Sequence, residues 1–470
     1  MGTSKLKVRD LKQFNYTSDI AKSLALKAIR DREFKFLSKT EKLEILAHVN
    51  ENPDEYLNHE IFSKLAEHLA EVGKEESDYQ VHDLNEQSKP YQVYGQKFID
   101  QNTMKQMDQV MRLPVAAQGA LMPDAHVGYG LPIGGVLATQ NEVIPYGVGL
   151  DIGCRMSLTI YDVPANYISG NKHKIKNALQ EQTHFGIGTI QNNMEDHEVL
   201  DRREFQEVEL LRQYHGKAMR QLGTSGSGNH FVEVGAVELP RSNNIGLPEG
   251  NYVGVLAHSG SRGMGAAIAS YYTQVAMDTC ILPKSAKHLA WLDLNTEAGM
   301  EYWIAMNLAG YYAKACHDVI HRKMARSLGL KPYLKIENHH NFAWKETQSN
   351  GEELIVHRKG ATPAQQGAWG IIPSSMTAPG YIVTGKGDAD ALNSASHGAG
   401  RRYSRRKAKE CFTRSDLKKR LKKERVTLLG GGVDEAPMVY KDLDAIMPFQ
   451  SDLVHAEGKF FPQIVRMNKD

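Results

Sequence analysis

Residues 152–161 read IGCRMSLTIY, a short β-like run, and residues 252–257 read YVGVLA, another. Runs of this kind are separated by glycine-rich turns and by occasional helices, an example being the amphipathic segment Glu301–Leu328. A doubly wound parallel sheet would show strands and helices in regular alternation, which is absent here. The pattern therefore predicts an α+β body of mixed sheets and helices.

Towards the amino terminus the texture becomes helical. Ser38 followed by Glu41 matches a capping box ahead of Leu43, Ile45 and Leu46. Asn52, Pro53 and Glu55 predict the opening of a further helix carrying Tyr56, Ile61, Leu65 and Leu69. From residue 72 to residue 90 the chain is polar with little periodicity. The expected organisation is a small helical extension over residues 1–75, a linker over 76–90 and the main body over 91–470.

Hydrophobic residues make up 41% of the 470 residues and charged residues 24%, which predicts a sizeable core and excludes wholesale disorder. No apolar run approaches the ~18 residues of a membrane span, and MGTSKLKVRD lacks the apolar stretch of a secretory signal. A soluble cytoplasmic protein with no membrane partner is expected. Cys154, Cys280, Cys316 and Cys411 are scattered, which suits reduced thiols better than a disulfide framework. The net charge of +2 argues against indiscriminate coating of nucleic acid, yet residues 401–425 hold 13 Lys/Arg against three acidic residues. Such a stretch could track phosphates, or be a solvated helix face.

Histidines stand beside small residues at five places: Asp124-Ala-His126, Asn229-His230-Phe231, His258-Ser-Gly-Ser-Arg262, Asn338-His339-His340-Asn341 and Ser396-His397-Gly-Ala-Gly-Arg401. Taken singly, each could as well be a surface or satisfied core residue. Gly149-Leu-Asp151-Ile-Gly-Cys154 sets a carboxylate and a thiol three residues apart among glycines. With imidazoles from elsewhere these would make a mixed O/S/N metal site, although Cys154 also fits a buried structural role. A thiolate with imidazoles would suit zinc at least as well as manganese. The segment Gly223-Thr-Ser-Gly-Ser-Gly228-Asn229-His230 offers free backbone N–H groups and hydroxyls for a phosphate chain, or is a plain surface loop; it does not match the P-loop pattern. His397 has small neighbours and an arginine close behind, and an imidazole nitrogen that attacks a phosphoryl group forms a labile phosphoramidate.

In this order, MPDAHVGYGLPIGG, GLDIGC, SGNHFVE, AHSGSRG, NHHN and SHGAGR resemble the signature segments of RtcB RNA ligases, over roughly residues 90 to 470. The resemblance implies a large RtcB-type catalytic body in which Cys154 bridges two Mn²⁺ ions. Asp151 and His230 would complete one site, and His258 and His340 the other; His340 is chosen over His339 because the family pattern is a ligand histidine followed by asparagine. It further implies that His397 takes GMP from GTP and that Asp124 orients the His397 ring. Guanine and phosphate contacts would come from Asn229, His230, Phe231, Glu233, His340, Asn341, Pro373, Ser374, Ser375, Met376, Gly380, Gly398, Ala399, Gly400, Tyr440 and Lys469.

The resemblance implies a three-step reaction: guanylylation of His397, transfer of GMP to an RNA 3′-phosphate opened from a 2′,3′-cyclic phosphate, and displacement of GMP by a 5′-hydroxyl. An archease-type activator is an implied partner. Two departures stand out. The chain ends Asn-Lys469-Asp470 where the family usually ends Lys-Gly, and Gly380 falls where a guanine-contacting serine is expected. The competing readings are a metal-dependent phosphoesterase acting on RNA ends and a non-catalytic RNA-binding protein.

Overall fold

The computed structural model describes residues 6, 10–11, 16, 19–74, 79–191, 194–348 and 351–468. The chain divides into two compact units, Met1–Tyr79 and Gln80–Asp470.

The smaller unit packs its helices around Leu46, Val49, Phe62 and Leu65. Helix Lys39–Glu51 opens with the capping box, since Ser38 Oγ accepts from Glu41 N and the Glu41 carboxylate accepts from Ser38 N. The helix expected from Asn52 is instead interrupted. Asn52 ends the preceding helix, its backbone N–H donating to His48 O, and its side chain caps no amide of the succeeding turn. Only a short 3₁₀ turn, Pro53–Tyr56, forms there. The ring of His59 then accepts from the backbone N–H groups of Ile61 and Phe62, and the next helix begins at Ser63. A side chain that takes the first free amides is a helix start in its own right.

Of the stretch expected as a linker, residues 76–78 lie outside the described residues. Residues 80–90 belong to the larger unit: Gln80–Val81 pairs in parallel with Cys280–Ile281, and the backbone N–H groups of Asn85 and Lys89 donate to Arg112 O and Met111 O.

Two sheets organise the larger unit. One runs in the order Leu334–His339, Arg155–Pro164, Gly250–Ser259, Phe231–Leu239, Val454–Met467, Gly380–Gly385, Trp369–Ile372, with Thr427–Leu429 paired in parallel to the long strand Val454–Met467. Its outermost strands curl round to meet. Asn338 closes the seam: its Oδ1 accepts from Ile371 N at 2.9 Å and its Nδ2 donates to Ile371 O at 3.3 Å. Inside the curl, Met156, Leu158, Ile160, Val237, Leu256, Ile371 and Phe460 form one core. The alternate face, with Tyr161, Val232, Val234, Val253 and Val255, packs on Ile320 and Met324 of the 32-residue helix Glu297–Leu328. Alternation along each strand thus serves two cores.

The second sheet runs Asn341–Thr347, Glu353–Lys359, Ile133–Thr139, Ala116–His126, Gln92–Val93. The chain passes from the first sheet to the second at a single residue, His340, between Leu334–His339 and Asn341–Thr347. Its N–H donates to Cys154 O at 3.0 Å and its carbonyl accepts from Gly360 N at 2.7 Å. The run read at 152–161 becomes the strand Arg155–Pro164, because residues 149–154 turn tightly, with Gly149 at φ +103° and Gly153 at φ +68°. A β-carbon on Gly153 would stand 2.8 Å from Gly310 Cα of the long helix, so this turn can only lie so close as glycine on glycine.

Candidate active site

Cys154 sits at the end of that turn, and the strands on either side aim imidazoles at it. His258 Nε2 lies 3.1 Å from Cys154 Sγ and 3.2 Å from His340 Nε2. On the other side His230 Nε2 lies 3.5 Å from Cys154 Sγ and 2.9 Å from Asp151 Oδ2. Two three-donor groups result, Cys154–His258–His340 and Asp151–Cys154–His230, with the donor atoms of each within 4.8 Å of one another. Cys154 belongs to both. His339, by contrast, turns its ring onto Phe342 and Trp344.

The neighbours of these donors explain their aim. His258 Nδ1 lies 3.1 Å from Asn229 O, and donating there leaves Nε2 with its lone pair towards the cluster. Burial pulls the His258 imidazole down to about 3 and His340 well below its ordinary value, so both are neutral, the ligating form. Burial also raises the Cys154 thiol, which a cation would have to offset to obtain the thiolate. At Asp151, burial alone would raise the carboxyl, but the His230 hydrogen bond and charge together with the Cys154 hydrogen bond outweigh it, and the net shift is downward. Two glycines give the donors room: a β-carbon on Gly260 would stand 2.0 Å from Asp151 Oδ1, and one on Gly226 2.1 Å from His230 Nδ1. The O/S/N donor set, gathered from four separate segments, fits a pair of divalent transition-metal ions.

His397 stands beside the cluster, its ring centroid 5.0 Å from that of His340. Its Nδ1 lies 2.8 Å from Oδ2 of the fully buried Asp124, which also accepts from Gly398 N at 3.3 Å. With Nδ1–H given to the carboxylate, Nε2 is left unprotonated.

A cavity of about 340 Å³ opens on His258, His340 and His397. Strand register builds its floor: Met156, His258, Phe231 and Met467 stand side by side across four strands, and Leu256, Glu233 and Val465 form the next row. Burial raises the Glu233 carboxyl to about 8. The remaining wall brings together Asn229, Pro373, Ser374, Ser375, Met376, Gly380, Gly398, Ala399, Gly400 and Tyr440. At Gly380, where the resemblance implies a serine, a β-carbon would lie 3.1 Å from Ile372 O and 3.1 Å from Pro373 Cα, a tight approach to the facing backbone.

Some expected contacts fall elsewhere. Asn341 does not line the cavity: its Nδ2 donates to Asp151 O at 3.3 Å and its Oδ1 accepts from Gly360 N at 2.9 Å, bracing the turn that carries Asp151 and Cys154. His230 faces the cluster rather than the cavity. Lys469 lies outside the described residues.

Two further lining residues, the arginine behind His397 and one from the basic stretch, carry from the sequence only an expectation of positive charge, without a partner. Arg401 and Arg405 reach the cavity rim, held 3.2 Å and 3.1 Å from the carboxylate oxygens of the buried Glu435, which also accepts from Tyr440 Oη. In the sequence Arg405 is one more member of the basic stretch at 401–425. Its neighbours Arg406 and Lys407 do remain on the surface, paired with Glu410. An arginine with a glutamate 30 residues further on carries no local signal, so only the tertiary fold reveals the pair.

Known proteins resemble the chain over most of its length. The family model described as tRNA-splicing ligase RtcB matches residues 106–214 and 191–467. The chain is 34% identical over 363 residues to the RNA-splicing ligase RtcB of Escherichia coli strain K12, covering 71% of this chain and 86% of that relative. It is 30% identical over 441 residues to the tRNA-splicing ligase RtcB of Nanoarchaeum equitans, covering 77% and 92%. Against the RNA-splicing ligase RtcB of Mycobacterium bovis it is 30% identical over 413 residues, covering 73% and 94%.

Proposed function

The chain belongs to the RtcB family and is an RNA ligase, and from that premise we propose that it joins RNA ends through a GMP carried on His397 beside two Mn²⁺ ions. The observation that carries the proposal is the pairing of His397 Nδ1 with buried Asp124, which leaves the other ring nitrogen as a nucleophile at a cavity of about 340 Å³.

His397 Nε2 attacks the α-phosphorus of GTP, forming an N–P bond as the bond to pyrophosphate breaks. Asp124 holds the Nδ1 proton throughout and stabilises the ring as it becomes cationic. Arg401 and Arg405 at the rim meet the phosphate oxygens, and Glu233 and Phe231 on the floor receive the guanine. Asp151, Cys154 and His230 would hold one ion and Cys154, His258 and His340 the other, supplying charge stabilisation on phosphoryl oxygens when bound. The 3′-phosphate of one RNA, opened by water where it begins as a 2′,3′-cyclic phosphate, attacks the GMP phosphorus and frees His397. The 5′-hydroxyl of the second RNA then attacks that 3′-phosphate, and GMP leaves as the phosphodiester forms. An archease-type activator completes the proposal, together with a reducing cytoplasmic setting that suits four free cysteines.

Incubation with α-labelled GTP and Mn²⁺ should attach one GMP, labile to acid and stable to base, as a phosphoramidate is. His397→Ala should abolish it; label persisting in that variant would overturn the assignment.

A further inference from the structure

Beside the metal donors the protein exposes apolar side chains that its own core does not use. Tyr129 is 76% exposed, Val127 51% and Leu150 48%. Their positions are fixed by the site: His126 lines the cavity, placing Tyr129 at most ~10 Å further along the chain, and Leu150 immediately precedes the donor Asp151.

The loop that presents Tyr129 is held rigidly. Gln106 Nε2 donates to Gly128 O at 2.8 Å and to Gly130 O at 2.6 Å, while its Oε1 accepts from Gly128 N at 3.1 Å. Lys359 Nζ donates to Tyr129 O and, at 3.0 Å, to Tyr146 O. The same Nζ lies 4.9 Å from the centre of the Tyr146 ring, which supports Tyr129 edge-on at 6.5 Å. Lys359 also underlies Gly149, where a β-carbon would stand 3.5 Å from its Cε, so the Tyr129 loop and the Leu150 turn share one foundation. Tyr129 itself sits between Gly128 and Gly130, and neither chain neighbour has a side chain to crowd the ring.

We propose that Tyr129, with exposed Val127 on the same loop and Leu150 on the turn that Lys359 also underlies, is a stacking platform for an unpaired nucleobase of the RNA, close to the end being joined. A protein partner would need a far larger apolar area than three side chains supply. A base needs one clear aromatic face. Stacking also tolerates every base, which suits an enzyme that recognises ends rather than a sequence. The platform rests on the RNA ligase function but not on the GMP-histidine step.

The test is equilibrium binding of a fluorescent single-stranded RNA with a 3′-phosphate, measured by anisotropy without GTP, to wild type, Tyr129→Ala, Tyr129→Phe and Tyr129→Trp. The alanine variant should bind roughly five-fold to a hundred-fold more weakly, as loss of one stacked base implies. The phenylalanine and tryptophan variants should bind like wild type or more tightly. Alanine binding as wild type does would overturn the platform, and so would phenylalanine losing as much as alanine, because the contact would then belong to the hydroxyl. Labelling of wild type by GTP needs no RNA, so its failure would count against the GMP-histidine reading alone.

Discussion

Asp124 and His397, 273 residues apart in sequence, meet at 2.8 Å with the carboxylate wholly buried and the ring at the cavity wall. In the proposed reaction the direction of the proton between them decides whether His397 can act. Asp124→Asn should therefore impair the enzyme even though the shape is kept, because a carboxamide can donate to Nδ1 and so favour the tautomer with Nε2 protonated. The initial rate of GMP attachment should fall by about 10²-fold or more. Retention of near wild-type rate would show that Asp124 only fills space.

Sharing of Cys154 between the two donor groups sets a hierarchy among metal-site variants. After dialysis against a weak chelator, His230→Ala and His340→Ala should each keep about one equivalent of metal, and Cys154→Ser close to none. Gly260→Ala should behave like a donor loss, since its new β-carbon displaces Asp151. Metal analysis alongside circular dichroism separates this from unfolding.

Arg405 and its two neighbours should part company. Arg405→Ala should slow GMP attachment, because Arg405 sits at the cavity rim against Glu435. The double change Arg406→Ala and Lys407→Ala should leave that step intact and flatten the salt dependence of RNA binding, by up to roughly 0.7 of log slope per lost phosphate contact. Equal effects of the two changes on GMP attachment would argue against the division.

Glu233 makes a pH prediction. Burial raises its carboxyl to about 8, above the value it takes once unfolded. The folded state therefore keeps a proton that the unfolded chain releases, so the associated stability is present at low pH and is lost as pH rises through about 8. Thermal melts of the nucleotide-free protein should show wild type losing stability relative to Glu233→Gln between about pH 6 and pH 8. Parallel curves would place the Glu233 carboxylate in a wetter setting.

The candidate metal donors were legible as short segments. Two of them stand in segments whose own glycines make room for them, Gly153 for the turn at Cys154 and Gly226 for His230, whereas Gly260, beside His258, makes room for Asp151 of another segment, and the His340 segment has no glycine. The α+β body was legible too, from β-like runs that do become paired strands. Residues whose role depends on a distant partner were not. Asn338 and Asn341 read as one motif, yet the first closes a sheet and the second braces a turn. Arg405 and Arg406 are the same residue type one position apart, and only helical phase with distant Glu435 separates them. Asn52 has the look of a helix opener because the pattern does not show that it already terminates the helix before it.

The Asn338 seam also bears on how molecules of this protein meet one another. Outermost strands carry unpaired amides and carbonyls that can template the strand of a second chain. In this sheet the two outermost strands lie together, and one carboxamide stands in for the missing rung by pairing both polar groups of Ile371. The folded protein thus presents no open rim at that place for strand addition. An Asn338→Ala protein would regain one, and would be expected to self-associate at concentrations where the parent stays dispersed.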